Sequence, residues 1–180
     1  MLKYAEHWTV FDAPVQTIVN TVNCEGFMGK GLALEVKTRF PEVFQKYQAM
    51  CKRGKMQVGK LQLIKSTEPW VLNFPTKDHW RAKSKLEYID KGLRKFVSTY
   101  KRRGIKSIAF PPLGCGSGGL RWDEVRPLME KHLARLTGIE VYICLAKPQR
   151  VSPSSHSRRA QKKQKGNTSS SQLTLSFASA

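Results

Sequence analysis

The chain has 180 residues, enough for one domain with a sizeable core, and its 40% hydrophobic content is typical of a globular protein and excludes a disordered one. The start MLKYAEHW has no signal-peptide character, and no apolar stretch approaches the roughly 18 residues of a membrane span, so we expect a soluble, cytoplasmic monomer. The chain has 32 basic and 13 acidic residues, and six basic but no acidic ones follow position 147. Residues 1–147 therefore carry a net charge of +13. This charge favours a polyanionic partner, DNA or RNA, over a basic surface that is only solvated.

Six strands and four helices are predicted, and they alternate along most of the chain. Strands are expected at 8–11, 17–21, 60–66, 70–74, 107–110 and 140–144. Helices are expected at 31–39, 41–53, 84–103 and 123–136. This alternation predicts an α/β fold with a mixed, largely parallel central sheet that helices cover on both faces. Positions 148–180 are rich in Ser, Lys, Arg and Gln, which predicts a disordered basic tail.

The strand at 17–21 runs into a glycine-rich turn that opens directly onto a helix. Glycines let the backbone approach a ligand closely, and a helix N-terminus presents unpaired N–H groups to an anion. Asn23 is the candidate for holding ribose hydroxyls, whereas Asn20 either contacts the ligand or braces the turn. Alternatively, the glycines only form a tight connection and Lys30 is a solvated side chain. The candidate ligand-binding residues are Asn20, Asn23, Gly26, Met28, Gly29, Lys30 and Gly31.

The buried strand at 70–74 ends in the segment NFPTKDHWR, at the same edge of the predicted sheet. It brings Thr76 and Lys77 to that edge as candidate site residues. His79 is a further candidate to touch a ligand, although its commoner role is to fix a loop. Trp80 is interpreted as a packing residue rather than a base stacker, with contact to a nucleotide as the alternative.

A second glycine-rich passage follows the strand at 107–110 and repeats the pattern of the first. Two glycine loops at the carboxyl ends of strands are what a diphosphate held between two sets of backbone N–H groups requires. The four cysteines show no paired or zinc-like spacing, which favours reduced thiols, and Cys115 has no base beside it to make it a nucleophile. The candidate ligand-binding residues here are Pro112, Leu113, Gly114, Cys115, Gly116, Ser117, Gly118, Gly119 and Trp122.

Three motifs therefore occur in order: NTVN with MGKGLA, NFPTKDHWR, and PPLGCGSGGLRW. With these motifs the first 147 residues resemble the macrodomain family, and within it the branch of the DarG antitoxins and the TARG glycohydrolases. The resemblance implies a three-layer α/β/α macrodomain at 1–147 and ADP-ribose as ligand. It implies no metal and no cofactor.

The resemblance also implies a role for Lys77, because a lysine in this motif is the catalytic residue of that branch. Cleaving a base-linked ADP-ribose requires attack at C1″ of the ribose or opening of its ring. An amine can attack the exposed aldehyde and form a Schiff base. Such a lysine works best with a lowered pKa, and we expect the neighbouring His79, Arg81, Lys83 and Lys85 to lower it. The alternative is a lysine that grips a phosphate or lies on the surface.

The sequence departs from the branch in two places. TARG relatives pair the lysine with an acidic residue in the second glycine loop, whereas this chain has Gly118 and Gly119 in that stretch. Asp123 follows the loop, but helix capping explains an aspartate there equally well. Near the N-terminus, Trp8 and Thr9 replace the acidic or amide residue that contacts adenine in macrodomains.

Resemblance and charge together predict a glycohydrolase that removes ADP-ribose from modified nucleobases in DNA. The alternatives are a hydrolase of ADP-ribosylated protein or of ADP-ribose 1″-phosphate, and a non-catalytic ADP-ribose-binding module. The long C-terminal toxin-binding region typical of the antitoxin is not in this sequence, so no toxin partner is predicted.

The tail contains the segment QLTLSF, from Gln172 to Phe177. It resembles the short peptides by which bacterial replication and repair proteins bind the sliding clamp, with Leu175 and Phe177 in an apolar pocket. A chance match in a short window is the alternative.

Overall fold

A computed structural model describes residues 1–146, which contain six strands and four helices. The strands are β1 (Leu2–Ala5), β2 (Thr17–Val22), β3 (Gln62–Ile64), β4 (Trp70–Pro75), β5 (Ser107–Phe110) and β6 (Glu140–Cys144). The helices are α1 (Gly31–Arg39), α2 (Pro41–Lys52), α3 (Leu86–Thr99) and α4 (Trp122–Leu133). The basic tail predicted at 148–180 and its peptide at 172–177 lie outside the described residues.

The strands form one sheet in the order β1-β6-β5-β2-β4-β3. All neighbouring pairs are parallel except β3 with β4, which is antiparallel. The prediction of a mixed, largely parallel sheet is therefore confirmed. The central strand β2 lies between β5 and β4, so the loops that follow these three parallel strands leave the sheet at one edge.

Helices cover both faces of this sheet. Successive residues of a strand point to opposite faces, and in β2 both Ile18 and Val19 are fully buried. Val19 packs in a cluster with Ile89, Leu93 and Phe96 of α3 and with residues of α4, whereas Ile18 packs in a cluster with residues of α1 and α2. The three-layer α/β/α arrangement is confirmed.

The strand predicted at 8–11 is wrong, because the first strand is β1 and positions 8–12 form a turn. The carboxylate of Asp12 accepts hydrogen bonds from the backbone N–H and the hydroxyl of Thr9, each at 2.7 Å. These local bonds compete with strand pairing, and an apolar pattern does not reveal them. Helices α3 and α4 are also shorter than the predicted 84–103 and 123–136.

None of the helices among the described residues combines the length and the apolar character that crossing a bilayer requires.

Candidate active site

Three loops meet at the carboxyl edge of the sheet. The first glycine loop (23–30) follows β2, the lysine loop (76–85) follows β4, and the second glycine loop (111–121) follows β5. The backbone N–H of Thr76 donates to the Val22 carbonyl at 2.9 Å, which extends the pairing of β2 and β4 up to the first two loops. The edge predicted to hold the site is therefore the edge at which these loops lie.

The first glycine loop is organised by the side chains of Asn23 and Tyr47. The amide oxygen of Asn23 accepts from the N–H groups of Glu25 and Phe27 at 2.9 and 3.3 Å, and its amide nitrogen donates to the Phe27 carbonyl at 2.7 Å. The hydroxyl of the fully buried Tyr47 contacts the carbonyl and the amide oxygen of Asn23, both at 2.9 Å, and accepts from the N–H of Gly26 at 3.2 Å. Asn23 thus has one amide hydrogen left for a ribose, while its oxygen is already used by the loop.

Asn20 contacts this loop only from beneath, through its amide nitrogen, which lies 3.9 Å from the sulfur of Met28. Its side chain is fully buried, and its amide nitrogen donates to the side chain of Asn73 on β4 at 2.8 Å. Of the two interpretations of Asn20, this geometry supports bracing and not a direct ligand contact.

Several backbone donors of the first glycine loop lack a partner. Within residues 1–146, the N–H groups of Met28, Gly29 and Lys30 donate no hydrogen bond, and α1 begins immediately afterwards at Gly31. Met28 as a whole is buried, with its side chain against Tyr47, whereas Gly29 and Lys30 are exposed. These groups and the first turn of α1 form one set of donors for an anion.

The second glycine loop is organised by its backbone and by close packing. The N–H of Ser84 donates to the Gly118 carbonyl at 2.9 Å, and the N–H of Leu120 donates to the Gly114 carbonyl at 3.0 Å. A Cβ at Gly118 would lie 2.3 Å from both the Gly114 carbonyl oxygen and the Ser84 hydroxyl. Only glycine fits there, and Gly114 and Gly119 adopt positive φ angles of 72° and 76°.

The second glycine loop presents its own set of unpaired donors. In the described part of the chain, the N–H groups of Gly116, Ser117 and Gly118 donate no hydrogen bond. A Cβ added at Gly116, or at Gly29 in the first glycine loop, would have no atom within 4 Å. At these two positions no other part of the described chain fills the space beside the backbone.

Lys77 lies between the two glycine loops. It is half-buried, and its Nζ donates to the Ser117 carbonyl at 2.5 Å. Burial, and then the charge of Lys30 in the first glycine loop, lower the pKa of Lys77. The direction agrees with the prediction, but the causes do not, because the charge comes from Lys30 and not from His79, Arg81, Lys83 or Lys85.

The lysine loop is tied to the first glycine loop. The N–H of Cys24 donates to the Asp78 carbonyl at 3.1 Å, and the Cys24 thiol contacts the Lys77 carbonyl at 3.3 Å. The carboxylate of Glu25 accepts from the N–H of Trp80 at 3.1 Å and lies 3.4 Å from Nε2 of His79. These contacts tie the two loops together, and His79 takes part in one of them.

No carboxylate hydrogen-bonds to Lys77 among residues 1–146. Asp78 accepts from the Tyr88 hydroxyl at 3.0 Å, and the exposed Asp123 pairs with Arg121. The Cys115 thiol is no substitute nucleophile, because burial raises its pKa to about 11. Among the described residues, the groups that lie nearest to the Lys77 amine are therefore backbone groups of the second glycine loop and not carboxylates.

The remaining predicted site residues serve mainly as support. Leu113 is fully buried in the core, Trp122 opens α4 and packs against that core, and Thr76 is buried beside Val22. The Pro112 carbonyl accepts from the N–H of Cys115 at 3.2 Å, which closes a turn of the second glycine loop. No group of three or more His, Cys, Asp or Glu side chains in the described residues is placed to hold a metal.

Sequence reasoning missed three organising residues. Tyr47 lies on α2, where its spacing marks it only as a core residue. Glu25 and Ser84 lie in loops. The sequence pattern does not indicate that Glu25 binds the lysine loop or that Ser84 packs against Gly118.

Comparison with known proteins gives consistent matches. A family model for the Macro domain matches residues 19–129. A DNA ADP-ribosyl glycohydrolase of Thermus aquaticus is 43% identical over 138 residues, which cover 74% of this chain and 38% of that protein. The chain thus spans well under half the length of that relative.

Solved structures match over most of the described residues. The macrodomain of Thermus aquaticus DarG aligns with a TM-score of 0.75 and 41% identity, over 80% of this chain and 97% of that one. The Thermosipho africanus DarTG structure in complex with ADP-ribose aligns with a TM-score of 0.73 and 42% identity, over 80% of this chain and 41% of that one.

Proposed function

This chain belongs to the macrodomain family, and from that premise we propose that it is an ADP-ribosyl glycohydrolase that removes ADP-ribose from modified nucleobases in DNA. The observation that carries the proposal is the position of Lys77. Its amine lies between two loops that both present unpaired backbone donors, and its pKa is lowered by burial and by Lys30.

ADP-ribose would bind with its diphosphate between the two glycine loops. The donors of 28–30 and of 116–118 belong to two loops at the same edge of the sheet, and oriented backbone N–H groups stabilise phosphate oxygens without a metal. The ribose that carries the base would then lie toward Lys77, with the free amide hydrogen of Asn23 available to one hydroxyl. The Thermosipho relative has been solved with ADP-ribose, which supports this ligand.

The neutral amine of Lys77 would attack C1″, and the bond between C1″ and the base nitrogen breaks. The base leaves with the electrons of that bond and takes a proton that the attached amine releases. The ribose ring then opens to a Schiff base, as the ring oxygen leaves C1″ and takes the second proton of the amine. Water adds to the Schiff base and expels the amine, which releases ADP-ribose and restores Lys77.

DNA as the carrier of the modification is supported by two observations. The first 147 residues carry +13, and a basic surface of this size attracts a phosphate backbone. The Thermus aquaticus relative, which covers the same part of the chain, is named a DNA ADP-ribosyl glycohydrolase.

The test is release of ADP-ribose from an ADP-ribosylated single-stranded oligonucleotide. We expect the full chain to release it, and Lys77→Ala to bind ADP-ribose with unchanged affinity but to lose at least about a hundredfold in rate, since a catalytic group of this kind contributes that much or more. ADP-ribosylated protein and ADP-ribose 1″-phosphate are assayed in parallel. Binding without turnover by the wild type would identify a non-catalytic module, and full activity of Lys77→Ala would refute the lysine mechanism.

The tail adds a separate proposal, which rests on sequence alone. The segment from Gln172 to Phe177 would bind the sliding clamp and bring the enzyme to replicating DNA in the cytoplasm. Purified clamp should retain the full chain and not the Leu175→Ala, Phe177→Ala double variant. No retention of the intact chain would mean that the match is accidental. No feature of the described residues adds support for a toxin partner.

A further inference from the structure

An exposed pair of aromatic rings lies beside the lysine. Phe27 of the first glycine loop is 55% exposed and Trp80 of the lysine loop is 42% exposed, and their ring centroids are 5.6 Å apart at an interplanar angle of 42°. Trp80 therefore has a large free surface, although it also packs against Phe27. Contiguous exposed apolar surface of this kind is typical of sites that bind a ligand or another macromolecule.

The pair is held in place by the loops that carry it. Glu25 accepts from the N–H of Trp80 and lies beside His79, and the Cys24 N–H donates to the Asp78 carbonyl. The backbones on either side of both rings are thus fixed to each other. The same bonds fix the distance between this pair and Lys77, which lies three positions before Trp80.

The loop that carries Trp80 is rich in cations, and one carboxylate, that of Glu25, also lies at the pair. The guanidinium of Arg81 lies 4.5 Å from the centre of the Trp80 ring, and Arg81, Lys83 and Lys85 are all exposed. A flat aromatic surface next to several cations is what a single-stranded nucleic acid requires, because bases stack on the rings while phosphates contact the cations.

We infer that Phe27, Trp80 and Arg81 form a platform on which an unpaired base next to the ADP-ribosylated nucleotide stacks. This inference rests on the proposed function, which supplies the ADP-ribosylated DNA as substrate. It adds that the platform recognises the strand beside the modified nucleotide. The occupant is single-stranded DNA, since the cations around the rings complement its phosphates. The platform positions the strand, whereas the chemistry stays with Lys77.

The first experiment measures binding of an unmodified single-stranded oligonucleotide by fluorescence anisotropy, which is independent of hydrolysis. Trp80→Ala in the full chain should weaken binding by about fivefold to 150-fold, the loss expected when one base no longer stacks on a ring. Trp80→Phe should retain most of the affinity. Leu34→Ala, which removes an exposed apolar side chain from α1, is the matched control and should bind like the wild type.

An oligonucleotide without bases distinguishes the stacking of bases on the rings from the attraction between phosphates and cations. An oligonucleotide with abasic sites keeps every phosphate but offers no base, so it should bind the wild type as weakly as the normal strand binds Trp80→Ala. The abasic sites should make a much smaller difference to Trp80→Ala, in which only Phe27 and Arg81 remain for a base to stack on. Equal affinity of wild type and Trp80→Ala for the normal strand would overturn the platform, as would an equal effect of the abasic sites on both proteins.

The second experiment connects the platform to the reaction. With an ADP-ribosylated oligonucleotide, kcat/KM of Trp80→Ala and Phe27→Ala should fall at least about fivefold, whereas hydrolysis of an ADP-ribosylated mononucleotide should not change. An equal loss on both substrates would place the rings in the site itself and overturn the inference. If the wild type hydrolyses neither substrate, the proposed function fails, and the anisotropy comparison still decides the platform.

Discussion

The two glycine loops have similar sequences but are held by different means. In the first glycine loop, the Asn23 amide and the buried Tyr47 hydroxyl fix the backbone from the side. In the second, backbone hydrogen bonds and the close approach of Gly118 to Ser84 do so, and no side-chain amide takes part. A glycine-rich pattern thus indicates where a backbone lies exposed, but not what supports it.

The glycines within each loop also differ in role. Gly118 has backbone and a hydroxyl where a Cβ would lie, whereas Gly116, two positions earlier, has nothing within 4 Å. In the first glycine loop Gly26 has a φ of 94°, whereas Gly29 also has open space. Each loop therefore contains at least one structural glycine and one glycine beside which the space is open.

The largest effect on stability is expected in the second glycine loop. Gly118→Ala should lower the free energy of unfolding by about 3 kcal/mol, since the new methyl group would overlap the Gly114 carbonyl and Ser84. Gly116→Ala is the matched control, with an expected change within about 0.5 kcal/mol. Urea unfolding of both proteins measures the difference, and similar midpoints would mean that the loop packs differently.

A smaller effect is expected from removing the side-chain support of the first glycine loop. Tyr47→Phe removes a hydroxyl that makes three contacts, so it should cost about 2 kcal/mol of stability and weaken ADP-ribose binding. Tyr100→Phe removes a hydroxyl that donates only to the Thr137 carbonyl, so it should cost about 1 kcal/mol and leave binding unchanged. Equal costs and equal affinities in the two variants would show that Tyr47 does not organise the loop.

The smallest effect concerns Lys30, through which the first glycine loop acts on Lys77. Only the neutral amine attacks, so the rate should rise with pH through the pKa of Lys77, and a lowered pKa moves that rise to lower pH. Lys30→Gln removes one of the two causes, so the pKa should return toward its ordinary value and the rise in kcat should shift to higher pH.

The control for this measurement is Lys131→Gln, which removes an exposed lysine on α4. Its pH profile should coincide with that of the wild type. If the profile of Lys30→Gln also coincides with that of the wild type, the charge of Lys30 does not act on Lys77.

Much of the fold was predictable, because its signals are local. Buried pairs such as Ile18 and Val19 mark a strand covered on both faces, and Pro41 marks the start of α2. The strand at 8–11 was predicted wrongly because Thr9 and Asp12 form side-chain bonds that an apolar pattern conceals.

The site was predictable in position but not in detail. The motifs placed both glycine loops and Lys77 at one edge, whereas the bonds that organise the edge join residues far apart in sequence. Asn23 meets Tyr47 of α2, and Lys77 meets Ser117 and the charge of Lys30. Such pairings are set by how helices and loops pack together, and a single sequence does not encode them in a readable pattern.

Calorimetric titration of ADP-ribose into Gly29→Val and Gly116→Val tests most directly whether the ligand binds between the two glycine loops. In the described chain, a Cβ at either position would have no atom within 4 Å. Both variants should therefore keep the free energy of unfolding of the wild type within about 0.5 kcal/mol. If the diphosphate lies between the loops, each valine occupies its space, and affinity should fall at least about tenfold in both variants, a loss of about 1.4 kcal/mol. Wild-type affinity in either folded variant would contradict the binding of ADP-ribose between the two loops.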